Sequence, residues 1–201
     1  NNEKNNKKER EKKMSRYDVI IIGAGPGGIF AAYELAKKAP ELKVAVFEAG
    51  NSLEKRKCPI DGKKIKSCIN CKTCAIMSGF GGAGAFSDGK YNITNDFGGT
   101  LYEYIGKDTA IDLMKYVDEI NLAYGGEGTK MYSTAGTDIK KLCIQNELKL
   151  LDASVRHLGT DINYIVLENL YKELKEKVEF RFNYRVDELE AVDGGYRVIS
   201  G

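Results

Sequence analysis

Apolar residues fall along the chain in two short unbroken runs near its start. The first is Asp18-Val19-Ile20-Ile21-Ile22, and the second is Lys43-Val44-Ala45-Val46-Phe47. Runs this short and this rich in β-branched residues predict strands buried on both faces of a parallel sheet. Between them Ile29, Ala32, Leu35 and Ala36 recur at helical spacing, which predicts a helix over 29–38 ended by Pro40. Residues 17–48 therefore predict strand, helix, strand. The pattern then lapses. Residues 53–74 are basic and cysteine-rich, 78–90 hold too much glycine for helix or strand, and 91–99 read as continuing loop.

Helical periodicity returns further on. Asp108 can cap a helix to about residue 123 with Ile111, Met114, Val117 and Ile120 in register, stopped by Gly125-Gly126. Asp138 can cap a second helix to about 146, with Cys143 in register with Ile139 and Leu142 and expected in the core. Residues 148–153 read as a short strand. Thr160 or Asp161 caps a helix over 162–177. Residues 178–184 alternate as a strand, and Asp193-Gly194-Gly195 turns into a last strand over 196–200, expected as an unpaired edge. Residues 1–13 hold no apolar side chain and read as a disordered basic tail.

Composition narrows the partners. The 201 residues are 42% hydrophobic, enough for one sizeable core, and the net charge of +2 is too small to imply nucleic acid. No apolar run nears the ~18 residues of a membrane span, and no apolar signal segment stands at the start. Five cysteines without such a signal point to the reducing cytoplasm.

The first strand runs straight into Gly23-Ala24-Gly25-Pro26-Gly27-Gly28. Gly23 permits a tight turn, Gly25 lets a pyrophosphate approach the backbone, and Gly28 lets helix and strand pack closely. The N–H groups at the helix start then face the phosphates. Glu48, about 20 residues past the last glycine, stands where a carboxylate accepts from a ribose 2′-hydroxyl. Strand, glycines, helix and acid in this order point to dinucleotide binding. An acid here disfavours a 2′-phosphate, hence NADP at this site, and does not separate FAD from NAD.

Three further sets carry chemistry. Cys58, Cys68, Cys71 and Cys74 lie among seven cations that would ease thiolate formation. Their spacing suits an iron–sulfur cluster or zinc, a redox disulfide, or unbound loop thiols. The 79–84 glycines, flanked by Phe80 and Phe86, read as a loop on the cofactor side or as a linker. His157, the single histidine, stands before a helix as a substrate-side group or a surface cap. Its neighbour Arg156 could meet an anionic substrate or simply be exposed.

The sequence resembles the two-dinucleotide-binding-domain flavoproteins of the glutathione-reductase-like kind. Within them it is most similar to bacterial NAD(FAD)-utilising dehydrogenases. Residues 18–28, Lys55-Arg56-Lys57-Cys58-Pro59, Cys68-Ile69-Asn70-Cys71-Lys72-Thr73-Cys74, the glycine segment 78–90 and residues 155–161 carry the likeness. The resemblance implies an α/β, Rossmann-like FAD-binding domain with a parallel sheet, spanning 14–99 and returning over 161–201. A helical, substrate-side insertion occupies 100–160. It places Gly23, Ala24, Gly25, Pro26, Gly28, Glu48, Arg56, Gly81, Gly82, Ala83 and the Val186 backbone on FAD. NAD(P)H would be the electron donor and a small molecule the substrate. The family's later strand and Gly-Asp motif do not occur, so the sequence reads as the N-terminal portion of a longer flavoprotein that needs the rest of its polypeptide.

Overall fold

A computed structural model describes residues 15–200, so the expected basic tail lies outside the described residues. Strand β1 (Val19–Ile22) leads through the glycine turn into helix α1 (Pro26–Lys38) and strand β2 (Val44–Phe47). A 3-10 turn (Leu53–Lys55), a long irregular segment and a second 3-10 turn (Gly82–Phe86) follow. Next come β3 (Lys90–Ile93), α2 (Leu101–Ile105), α3 (Lys107–Asn121) with a π-turn (Leu122–Gly126), β4 (Met131–Ser133) and α4 (Ile139–Gln145). The chain returns through β5 (Ser154–His157), α5 (Gly159–Leu174) and β6 (Glu179–Arg181) to a hairpin of β7 (Glu188–Val192) and β8 (Gly195–Ile199).

The fold is α/β, as the pattern predicts. Strands β1, β2 and β6 form a parallel sheet in that order, with Val19 opposite Val44 and Ala45 opposite Glu179. Central β2 is buried along its whole length, which explains why it reads as an unbroken apolar run. Ile29 and Ala32 of α1 and Val166, Leu170 and Leu174 of α5 share the core with Val46. Phe80 from the glycine-rich segment joins them fully buried, its ring 4.9 Å from Tyr171 and 5.7 Å from Phe180. A loop residue thus anchors in the core between α5 and β6.

Several expected elements shift. Residues 90–93 are not loop. They form β3, paired with β5 and with Tyr91 and Ile93 half-buried, and a four-residue strand among Asn and Asp hides its alternation. The strand expected at 148–153 forms at 154–157 instead, because pairing with β3 and β4 selects those residues, while Leu148 and Leu151 stay exposed. The last strand is not unpaired: β8 lies antiparallel to β7 across a turn with Gly194 at φ +76°. Helix α4 buries no residue, so Cys143 is half-buried and not core. The 79–84 glycines, expected in neither helix nor strand, enter a 3-10 turn. Among the described residues no helix is long and apolar enough to cross a membrane.

The antiparallel sheet β3–β5–β4 is tied to α3 by charge. Arg156 is neither exposed nor open to a substrate anion. Its Nε and Nη2 donate to the Asp118 carboxylate at 2.9 and 2.7 Å, and Nη1 donates to the Thr129 carbonyl at 2.7 Å. The pair is about nine-tenths buried. Asp118→Ala would strand the guanidinium charge and is expected to cost about 3 kcal/mol in urea denaturation. Asp118→Ala with Arg156→Met should cost clearly less, and equal losses would show the pair contributes nothing specific.

Candidate dinucleotide site

The site starts where β1 stops. Gly23 turns the chain at φ +98°, and its N–H donates to the Phe47 carbonyl at 2.7 Å. A Cβ on Gly28 would lie 1.9 Å from the Gly23 carbonyl oxygen, so α1 packs this close only with glycine there. Gly25 differs. Its φ of −73° and ψ of −178° suit any residue, and an added Cβ would meet nothing within 4 Å. Neither conformation nor neighbours call for glycine at this position. Helix α1 begins there without a side-chain cap or an acid in its first turn, and Pro26 has no N–H. The Gly27 and Gly28 N–H groups find no acceptor among the described residues, and the positive end of the helix opens outward.

Glu48 closes the other side. It is buried, and its carboxylate gathers three backbone donors. Oε2 accepts from Ala24 N at 2.7 Å, while Oε1 accepts from Gly50 N at 2.7 Å and Gly79 N at 2.8 Å. One side chain thereby joins the first glycine loop, the turn after β2 and the second glycine loop. A carboxylate offers about four acceptor positions, so one on Oε2 stays open. The Glu48 backbone donates to Arg181 O at 2.9 Å and accepts from Tyr184 N at 2.9 Å, which draws residues 183–187 alongside. Val186 is half-buried in that segment, and its N–H donates to no described residue.

Arg56 braces the second loop. Its guanidinium is buried and donates to four carbonyls: Ala75 at 2.9 Å, Ile76 at 2.6 Å, Phe80 at 2.7 Å and Gly82 at 2.7 Å. Burial pushes its pKa down from the usual arginine value, and the Glu48 charge opposes that shift. The loop meets the first one directly: Gly81 N donates to Ala24 O at 2.8 Å, and a Cβ on Gly82 would lie 3.1 Å from the Gly25 Cα. On its far side Asn163, fully buried on α5, donates to Gly84 O at 2.9 Å and accepts from the Tyr91 hydroxyl at 2.6 Å.

Gly23, Ala24, Gly25, Pro26, Gly28, Glu48, Arg56, Gly81, Gly82 and Ala83 therefore stand together, with Val186 two residues past a Glu48 contact. His157 stands apart, exposed at the end of β5 opposite Lys90. The four cysteines do not converge. Cys58, Cys68, Cys71 and Cys74 are free thiols, three of them exposed, and no group able to hold a metal forms among the described residues. The segment carrying them is almost wholly exposed, so no burial gathers the sulfurs. Sequence reasoning missed Asn163, although a polar residue in register with Val166 and Leu170 on a core-facing stripe is a visible signal.

Residues 5–54 match the Thi4 family. The thiamine thiazole synthase of Yarrowia lipolytica is 58% identical over 38 residues, 19% of this chain and 12% of that protein. The Candida albicans synthase is 50% identical over 40 residues, 20% of this chain and 11% of its own. Among solved structures, THI4 of Thermovibrio ammonificans aligns at a TM-score of 0.40 and 17% identity, covering 96% of this chain and 50% of that one. Glycine oxidase of Geobacillus kaustophilus aligns at 0.48 and 16%, covering 92% and 51%. The chain thus spans about half the length of these solved chains, and the curated matches take in about a tenth of theirs. The match to the Thi4 family takes in the segment that carries β1, α1 and β2.

Glu48→Gln should destabilise the ligand-free protein. An amide has one acceptor oxygen, so in either orientation its NH2 faces at least one of the three N–H groups. The expected cost is about 1–3 kcal/mol by urea denaturation without nucleotide. Unchanged stability would mean that the carboxylate is not the tie between the loops.

Proposed function

We propose that the unit β1–α1–β2, with the second glycine loop over it, binds the ADP portion of FAD, and that the protein works as a cytoplasmic FAD-dependent oxidoreductase. The observation that carries this reading is Gly25. The ligand-free chain gives no reason for glycine there, whereas a pyrophosphate approaching the start of α1 gives one. The bare N–H groups of Gly27 and Gly28 suit phosphate oxygens. The open acceptor position on Glu48 Oε2 suits a ribose hydroxyl, and the Val186 N–H suits an adenine nitrogen. The residues present fit the group.

When bound, the flavin would supply transfer of a hydride or of single electrons. The chain's own part is to hold the dinucleotide, fix its ribose and screen its phosphate charge with helix and loop N–H groups. NAD(P)H as the electron donor and a small-molecule substrate complete the proposal. The likeness to thiamine thiazole synthases lies in the β1–α1–β2 unit, so it bears on that unit and not on the reaction those relatives are named for. NAD in place of FAD is the competing occupant, and mass spectrometry of the nucleotide released from purified protein separates the two.

Gly25→Ser is the sharpest variant. Serine is a favoured helix N-cap, so the melting temperature should hold or rise. The new side chain stands where the pyrophosphate would approach. Calorimetric titration is expected to show at least a tenfold loss of FAD affinity, ~1.4 kcal/mol. Undiminished FAD binding would overturn the placement of the phosphates.

A further inference from the structure

Arg56 closes a loop. The chain leaves it at Lys57 and comes back where Arg56 Nε donates to Ala75 O at 2.9 Å and Nη2 donates to Ile76 O at 2.6 Å. Cys58 stands two residues past Arg56 and Cys74 one residue before Ala75, so a thiol stands near each end of the loop. The Cys74 sulfur lies near enough that its charge, like that of Glu48, opposes the burial shift on Arg56. Between these ends the chain forms no helix or strand and buries no side chain, and Ile60, Ile69 and Met77 are exposed. Irregular stretches longer than ~15 residues are uncommon in a compact domain unless they are functional or serve as linkers. A segment without an apolar core needs another staple, and a thiolate-bound metal is one.

Local turns already shape this loop. Asp61 Oδ1 accepts from the N–H groups of Lys63, Lys64 and Ile65 at 2.8, 2.8 and 2.9 Å, and Asp61 N and Gly62 N donate to Ile65 O at 3.1 and 3.2 Å. In the turn from Cys68 to Cys71, Asn70 takes φ +51° and its N–H donates to the Cys68 sulfur at 3.4 Å. A backbone N–H on a sulfur favours its thiolate, and metal-bound thiolates accept such bonds. Residues 53–74 carry seven cations against Glu54 and Asp61, which offsets the net negative charge of four thiolates around iron and sulfide. We propose that Cys58, Cys68, Cys71 and Cys74 ligate a [4Fe–4S] cluster. The sulfurs stand apart in the ligand-free loop, and metal binding draws such a loop together, because the site and its fold form in one step. Spacing selects the cluster over zinc. Cys68-x2-Cys71-x2-Cys74 presents three thiols from one short run, with Cys58-Pro59 as the remote fourth, whereas zinc takes separated pairs. Arg56 holds the end of this loop and the Phe80 and Gly82 carbonyls alike, which places the cluster, a one-electron centre, next to the second glycine loop. The proposal does not depend on what the dinucleotide site holds.

The test uses protein purified without oxygen, incubated with ferric iron, sulfide and a reducing thiol, and desalted. Cys68, Cys71 and Cys74 are exposed and Cys143 is half-buried, so in a loop without a cluster those three react with iodoacetamide before Cys143. The cluster is expected to reverse that order, slowing Cys58, Cys68, Cys71 and Cys74 by about tenfold or more until an iron chelator is added. Analysis should find about four irons and as many acid-labile sulfides per chain. Cys71→Ser should lose most of that iron and Cys143→Ser should keep it. Should Cys71→Ser fold poorly, the order of alkylation in the unaltered protein still decides. Zinc in place of iron, a disulfide without metal, or loop thiols that react before Cys143 would each overturn the proposal.

Discussion

Three backbone N–H groups from three separate loops converge on one buried carboxylate, and the geometry of the whole nucleotide end follows from that convergence. A charge held away from water must be compensated, and Glu48 is compensated by Ala24, Gly50 and Gly79. Charge-assisted bonds of this kind are about twice as strong as neutral ones. Their arrangement also leaves little freedom, because a Cβ on Gly50 would lie 2.4 Å from Gly79 N. The acid expected to read a ribose therefore has a second task. It fixes the loops between which the ribose would lie.

Arg56 is the complement of Glu48. The carboxylate collects N–H groups and the guanidinium collects carbonyls, and both act on the segment 75–82. A glycine-rich stretch loses much conformational entropy on ordering, so it needs strong and directional partners to hold one shape. Two buried charges of opposite sign provide them, and Phe80 adds a ring packed into the core. The loop that reads as either a cofactor-side loop or a flexible linker is a braced wall, tied at Gly79, Phe80, Gly81, Gly82 and Gly84.

The parts legible in the sequence are those governed by local spacing. Two apolar runs, a helical stripe and the Gly23, Gly25, Gly28 series belong to one stretch of chain, and the β1–α1–β2 unit forms within a residue or two of its expected bounds at the strands. Local pattern misplaces strands β3 and β5, because their positions depend on each other across more than sixty residues. The Glu48 hub could not be read, since nothing along the chain says that Gly79 comes back to residue 48. The cysteines are a different case. Their spacing is compatible with a common ligand or with separate thiols, and in the ligand-free structure they stand as free thiols on an exposed segment.

Under the proposed function Glu48 holds together the loops of a site whose open N–H groups would meet a pyrophosphate. Residue-resolved amide hydrogen exchange with and without FAD is the decisive measurement. The expected result is that Ala24, Gly50 and Gly79 are protected already in the free protein, while Gly27 and Gly28 exchange quickly until FAD slows them. Fast exchange at the first three amides in the free protein, or no change at the last two when FAD is added, would contradict it.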